Sequence, residues 1–364
     1  MTMFKVVKTM KYLNKLSIFN LWEKEKVDID FFENVTFLTG YNGSGKSTIL
    51  NILFDTLNPQ DNHMPATSKN RFWGATAFFS DNTSISKACF PLLDSSTSKL
   101  LENIEDYIGD DNLFCFKSLN TIKNEYQNIM NNSKYSIYDN KNKGIASVTE
   151  ADDDYSFIPF IYQDDRKCLH NIKDSNIDFD NDYWGHYGNQ LDERFCYVRD
   201  ALQLHESKMN KTFTESFLSL RDKSPKKKDF ITLLNEHGKG TKSIKKLDDI
   251  LNTYFNPVGK TVSRDENDKI ELQFIETEQP INWYELSRGE KTIIYLLLSA
   301  FLYGSKVNIF LFDEPDISIH IEWQEQLVKH LVELAPNCQF VIATHSPALI
   351  MNGWLDRAVN VKIL

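Results

Sequence analysis

Four places along the chain hold residue types whose spacing could do chemistry. The first is GYNGSGKS, Gly40 to Ser47, followed by Thr48, which has the spacing G-x-x-x-x-G-K-[ST]. It stands between an apolar run, NVTFLTG, and an apolar helical segment, Thr48 to Leu57, the setting in which such a loop cradles phosphate. Gly40, Gly43 and Gly45, with Asn42 and Ser44 between them, let backbone N–H groups turn inward around a β-phosphate. Lys46 brings a cation to the β- and γ-phosphates, the Ser47 hydroxyl is an Mg2+ ligand, and Thr48 stands near the α-phosphate. The helix that begins here adds its positive dipole end. ATP with Mg2+ is the expected ligand.

The second is VNIFLFDEPD, Val307 to Asp316, an apolar strand that delivers Asp313 to its exposed end. There Asp313 can hold Mg2+ through water, and Glu314 can polarise an attacking water as general base. The third, ATHSP, places His345 after another strand, where it can meet a γ-phosphate and orient the water. The fourth is YELSRGEK, in which Ser287 and Gly289 open a helix and can present a hydroxyl and N–H groups to a phosphate. Ser287 with Glu290 also matches a capping box, and the two roles are compatible. In isolation a strand-end acid pair or histidine is ordinarily structural. Their order behind the phosphate loop is what points to nucleotide chemistry.

Elements that alternate strand and helix must position these residues. Residues 12–39 read as strands, 48–57 as a helix stopped by Asn58-Pro59, and SFIPFIYQDDR (156–166) as a buried strand with Gln163 at its end. Residues 190–255 read as mainly helical, broken at Pro225 and at the Gly238/Gly240 pair. From there the pattern is strand 269–276, helix 288–303, strand 307–312, helix 321–334, strand 338–343 and a last strand near 358–363. This alternation predicts an α/β fold with a largely parallel sheet and helices on both faces. Residues 58–155, with seven asparagines between Asn120 and Asn142 and an acidic run at 150–154, read as an insertion of one or two helices and loops.

Composition narrows the class. The chain has 364 residues, 41% hydrophobic and 25% charged, with a net charge of −10. That is one large divided domain or two, with ample core and no general basic coat for nucleic acid. Nine Lys/Arg nevertheless cluster within 221–246, and Lys226, Lys227, Lys228, Lys245 and Lys246 are the candidate contacts if nucleic acid is bound. The five cysteines are scattered without a CxxC, which predicts neither a zinc site nor a disulfide framework and fits a reducing, cytoplasmic setting. No leader-like or membrane-length apolar stretch is expected, and no membrane partner.

These four motifs in this order resemble the ABC-type ATPases. Gly40–Thr48 corresponds to Walker A, Leu286–Glu290 to the signature, Phe312–Glu314 to Walker B and His345 to the switch histidine. The string DEPDISIHIEWQ (313–324) is similar to the OLD-like, RecF-like AAA-15/AAA-21 group, with Asp316 opening the D-loop. Ile321 stands where that group has Pro, and Arg288 where the signature has a small residue. By this resemblance Gln163 is the candidate Q-loop residue sensing metal and γ-phosphate. The resemblance covers 1–57 and 156–364, with 190–268 as a helical arm or lid and 58–155 outside it. It implies an ABC-ATPase (P-loop NTPase) sheet sandwich that works as a head-to-tail homodimeric unit, with ATP between one copy's Walker A and the other's signature.

Lys46 and Ser287 stand 241 residues apart, farther than in compact transporter subunits. Rad50-like and SMC proteins need long coiled coils, and OLD nucleases need a further nuclease domain for which 19 residues after His345 leave no space. The leading expectation is a stand-alone ATPase subunit controlling a separate nuclease or toxin, resembling those of the PARIS, Septu and retron-associated antiphage systems. The alternatives are a RecF- or Rad50-like DNA-binding repair ATPase, with the basic cluster gripping DNA, and a nucleotide-gated scaffold that barely hydrolyses. Glu314 speaks against the last.

Overall fold

The chain begins with alternating strands that bury one face each. A computed structural model describes residues 11–21, 24–58, 73–91, 135–140, 145–151, 156–163, 191–222 and 227–361. Strands β1 (Leu13–Leu21) and β2 (Lys24–Asp30) pair antiparallel, and β3 (Val35–Thr39) leads through the glycine loop into helix α1 (Lys46–Leu57). Four more strands follow: β4 (Trp73–Phe79), β5 (Ser84–Pro91), β6 (Tyr135–Asn140) and β7 (Ile145–Ala151). They join the first two in a six-stranded antiparallel sheet of order β2-β1-β4-β5-β7-β6.

These four strands lie within 58–155, the stretch read as an insertion of helices and loops. β4 pairs with β1 and sends Trp73, Ala75, Ala77 and Phe79 into the core, so this part is built into the sheet. Its inward positions include two alanines, too small to make a strong alternating pattern in the sequence. Most of the asparagine-rich stretch lies outside the described residues.

A second sheet is wholly parallel and has the order β14-β3-β13-β12-β8. It comprises β3, β8 (Pro159–Gln163), β12 (Ile309–Asp313), β13 (Gln339–Ala343) and β14 (Ala358–Asn360). Successive side chains of these strands enter two different cores, as the period of two requires. Leu38, Leu311 and Val341 face α1 and the antiparallel sheet. Phe37, Phe310, Phe312, Phe340 and Ile342 face a layer of helices. Helices thus cover both faces, as expected, but among the described residues one face carries α1 alone, sandwiched between the two sheets. Its residues Ile49, Leu50, Ile52, Leu53 and Leu57 are buried there. The fully buried Lys87 of β5 donates to the carbonyls of Asp55 (2.8 Å) and Asn58 (3.3 Å), holding the helix C-terminus with a cation.

The helical layer consists of α2 (Leu191–Asp222), α3 (Lys227–Phe255), α4 (Arg288–Tyr303), α5 (Ile321–Leu334) and the short α6 (Pro347–Met351). α2 and α3 run as an antiparallel pair, termed the arm, with Phe213 against His237 and Phe217 against Phe230. The predicted break at Gly238/Gly240 does not occur, and α3 runs through both. A Cβ on Gly240 would meet the Met209 sulfur of α2, so this glycine leaves room for that side chain within a continuous helix. The arm's base packs on a third sheet, β11-β10-β9, built from β9 (Lys260–Arg264), β10 (Ile270–Phe274) and β11 (Pro280–Ile281). Arg264 binds Glu206 of α2 and Asp248 of α3, each at 3.0 Å, and locks the arm to that sheet.

Candidate active site

Parallel pairing explains why residues so distant in sequence meet. Asp313 lies opposite both Ala343 and Gln163, and Ala343 lies opposite Leu38. The glycine loop, the Asp313–Glu314 corner, the His345 turn and Gln163 therefore emerge at one carboxyl edge of the sheet, where such folds bind ligands.

The loop itself is a cradle. Gly40, Gly43 and Gly45 have φ of 144°, 80° and 99°, conformations in which a side chain is strained. At Gly40 there is also no space, since a Cβ would lie 2.7 Å from the Val361 carbonyl and 2.8 Å from Ser44 Oγ. Asn42, Gly43, Gly45, Lys46, Ser47 and Thr48 line a cleft of about 650 Å³ together with Glu314, Asp316, Ile317 and His345. A neighbouring cavity of about 880 Å³ opens on the other side of the loop, toward Tyr41, Ser44 and Val361.

Lys46 is buried and donates to the Gly40 and Tyr41 carbonyls at 3.2 Å each and to His345 Nε2 at 2.6 Å. Nε2 is then the acceptor, which puts the imidazole proton on Nδ1. Burial pulls the Lys46 pKa below its ordinary value, against the pull of the Glu314 and Asp313 carboxylates. Ser47 Oγ donates to Asp313 Oδ1 at 2.9 Å. Two hard oxygen donors beside a phosphate cradle fit Mg2+, which takes one or two protein oxygens and fills its shell with phosphate and water. Among the described residues no cluster of three His, Cys, Asp or Glu could hold a metal by itself.

Glu314 sits in the left-handed region at φ 49°, with its N–H on the Ala343 carbonyl at 2.8 Å. This corner is strained for a non-glycine residue. It brings the carboxylate within 3.7 Å of His345 Nε2. Asp316 is held by the Thr344 hydroxyl at 2.6 Å, and burial raises its pKa against that hydrogen bond. Gln324 spans the same two loops, donating to the Ile319 carbonyl at 2.8 Å and accepting from the Ser346 hydroxyl at 2.5 Å. Both neighbours of His345 are thus tied to the segment after β12.

Gln163, the candidate metal sensor, donates its amide to Asn51 Oδ1 at 2.8 Å, and Asn51 in turn donates to the Ser47 carbonyl at 2.8 Å. Ser287 and Gly289 line neither cavity beside Lys46. Ser287 caps α4 in a reciprocal box: Glu290 N donates to Ser287 Oγ at 3.3 Å and Ser287 N donates to Glu290 Oε2 at 2.7 Å. Lys260 grips the other Glu290 oxygen at 2.5 Å. Burial would raise the Glu290 pKa, but Lys260 and the Ser287 N–H outweigh it and hold the carboxyl below its ordinary value. Gly289 faces the Ser318 carbonyl, which a Cβ would strike. Of the candidate nucleic-acid contacts, Lys228 and Lys245 are exposed, Lys246 pairs with Glu333 at 3.1 Å, and Lys226 and the Lys227 side chain lie outside the described residues.

Asn51, Thr344 and Lys260 escaped the sequence reading. Only Asn51 left a signal there: on a helix it stands one turn beyond Ser47, on the same face.

A family profile described as "AAA domain, putative AbiEii toxin, Type IV TA system" matches residues 35–352. The Retron Vc95 probable ATPase of Vibrio cholerae serotype O1 biovar El Tor is 24% identical over 93% of this chain and 71% of its own length. The Retron Ec83 probable ATPase of Escherichia coli is 28% identical over 34% of this chain and 28% of its own. Among solved structures, the Smc head domain with an extended coiled coil bound to the C-terminal domain of ScpA, from Pyrococcus furiosus, superimposes with a TM-score of 0.48. That likeness has 14% identity and covers 98% of this chain and 94% of the other. No helix among the described residues is long and apolar enough to cross a membrane.

Proposed function

The chain belongs to this AAA-domain family, and on that premise we propose that it is an Mg2+-dependent ATPase whose nucleotide-driven pairing gates a separate effector in antiphage defence. The observation that carries the reading is the convergence of Lys46, the Ser47–Asp313 pair and the Glu314–His345 pair on one cleft.

The loop amides and Lys46 bind the β- and γ-phosphates, and Lys46 exchanges its carbonyl and imidazole partners for phosphate oxygens. Ser47 and Asp313 would hold Mg2+, which neutralises charge on the phosphates. Glu314 accepts the proton of the water whose oxygen attacks the γ-phosphorus, while the bond to the β-bridging oxygen breaks and ADP leaves. His345, already within reach of Glu314, orients that water and then faces the released phosphate.

Ser287 and Gly289 stand away from their own chain's cradle, so they serve a second copy's nucleotide. Closing on ATP and reopening after hydrolysis gives two arrangements for an effector to read. The names of the retron relatives support a defence setting, and the family description's mention of a toxin supports a toxin-like effector.

The test couples turnover to protection. Glu314→Gln should lower the ATPase rate about 10²–10⁴-fold while ATP still binds, the range for loss of a general base. Lys46→Ala should abolish binding and phage protection, and a tagged wild-type protein should capture the effector from cells. Equal turnover in wild type and Glu314→Gln would defeat the hydrolytic part. Absence of any captured protein and of any phage phenotype would defeat the gating part.

A further inference from the structure

Among the described residues, the arm carries a surface that is left exposed. Between residues 208 and 246 the sequence has eleven Lys/Arg and four Asp/Glu, a net of +7, whereas the whole chain is −10, so the remainder is −17. On α3, Lys228, Ile231, Leu234, Gly238, Lys242 and Lys245 follow one another at steps of three or four residues and so share one face. Ile231 and Leu234 are 47% and 56% exposed, and space is open around Gly238. The result is a stripe with an apolar centre and lysines at both ends.

A surface of matching chemistry lies at the arm's base. The turn from β10 to β11 exposes Phe274 (43%) and Ile275 (46%) and, beyond β11, Tyr284 (63%). Exposed Glu276 and Glu278 stand beside them, and residues 270–285 contain four glutamates and no Lys or Arg. The two surfaces cannot meet within one chain. α3 is an unbroken helix from Ile231 to Phe255, where the third sheet begins, and holds the apolar centre of the stripe about 36 Å from that sheet.

We infer that the arm stripe of one copy docks on the β10–β11 patch of a second copy, an interface separate from the nucleotide-bridged one. Leu234 and Ile231 seat against Phe274 and Ile275, and Lys228, one turn from Ile231, faces Glu276 and Glu278. The apolar centre favours a protein surface over a phosphate backbone, and the complementary acidic patch is present on the chain itself. Each copy offers both surfaces, so two copies can exchange arms reciprocally and close the contact.

Sedimentation velocity of the full chain without nucleotide tests this. The wild type should associate at low salt and weaken as salt rises. Ile231→Asp with Leu234→Asp, and separately Glu276→Lys with Glu278→Lys, should each raise the dissociation constant at least tenfold. Lys228→Glu should do the same, and combining it with the two glutamate reversals should restore association. A wild type that remains monomeric, variants that associate like wild type, or a combined reversal that fails to rescue would overturn the inference. So would arm variants that keep association but lose duplex DNA binding or a captured protein, which would give the stripe to those partners.

Discussion

Asn51 joins two parts of the site through one amide, accepting from Gln163 and donating to the carbonyl of Ser47. In the proposed mechanism it would be a positioning residue: it touches the end of β8 and the turn at Ser47, not the atoms proposed to react. Asn51→Ala should lower turnover about tenfold with ATP affinity nearly kept, since a lost hydrogen bond near 1–1.5 kcal/mol is felt where alignment matters. Stopped-flow binding set beside steady-state rates separates the two. Gly289 makes the same point through sterics. Gly289→Ala drives a methyl into the Ser318 carbonyl and should destabilise by about 1–3 kcal/mol. Urea unfolding would show it, and the D-loop would be displaced with it.

Among the elements, α3 and α5 meet through a buried pair in which Tyr254 Oη lies 2.7 Å from His330 Nδ1, with Trp323 edge-on to Tyr254. Burial lowers the His330 pKa below its ordinary 6.5, and lowers that of His205 on α2 in the same sense. The unfolded chain therefore binds more protons than the native one just below pH 6.5, so stability is full above that value and falls as the pH drops through it. Melting temperature between pH 7.5 and 5.5 should decrease, and His330→Gln should make that decrease shallower without removing the His205 share. At α1 the same kind of dependence on a buried polar group arises from Lys87. Lys87→Met leaves the Asp55 and Asn58 carbonyls without their cation and should cost about 1–3 kcal/mol in a denaturation curve.

At the scale of the whole molecule, the two phosphate-binding candidates lie apart. Lys46 lies in the cleft, while Ser287 caps α4 outside it. If each ATP is completed by a second copy, Lys46→Ala and Ser287→Arg proteins are each inactive alone. Mixed, they form pairs in which one site joins the intact cradle of the Ser287 variant to the intact signature of the Lys46 variant. The mixture should recover about a quarter of the wild-type rate, as random pairing makes half of the dimers mixed and each has one working site of two. Steady-state ATPase of the mixture checks this, and a mixture as inactive as its components would place the full site in a single chain.

What the sequence determined by itself was which residue types stand at each motif. The glycine loop, Asp313, Glu314 and His345 could be read because each lies at the end of a short apolar strand, and strand and loop are neighbours in the chain. The ladder registers that bring these ends to one edge follow from parallel β–α alternation, a pattern also visible in one dimension. The tertiary structure alone decided the rest. β4 joins β1 with Ala75 and Ala77 among its inward residues, a fact of packing with little trace in alternation. Gly240 reads locally as a helix breaker and in space as room for Met209. Asn51, Thr344 and Lys260 act through partners 28 to 112 positions away, and no local pattern encodes such pairs. Local propensity and short-range spacing are written along the chain, whereas close approach and charge pairing depend on which surfaces the folded core brings together.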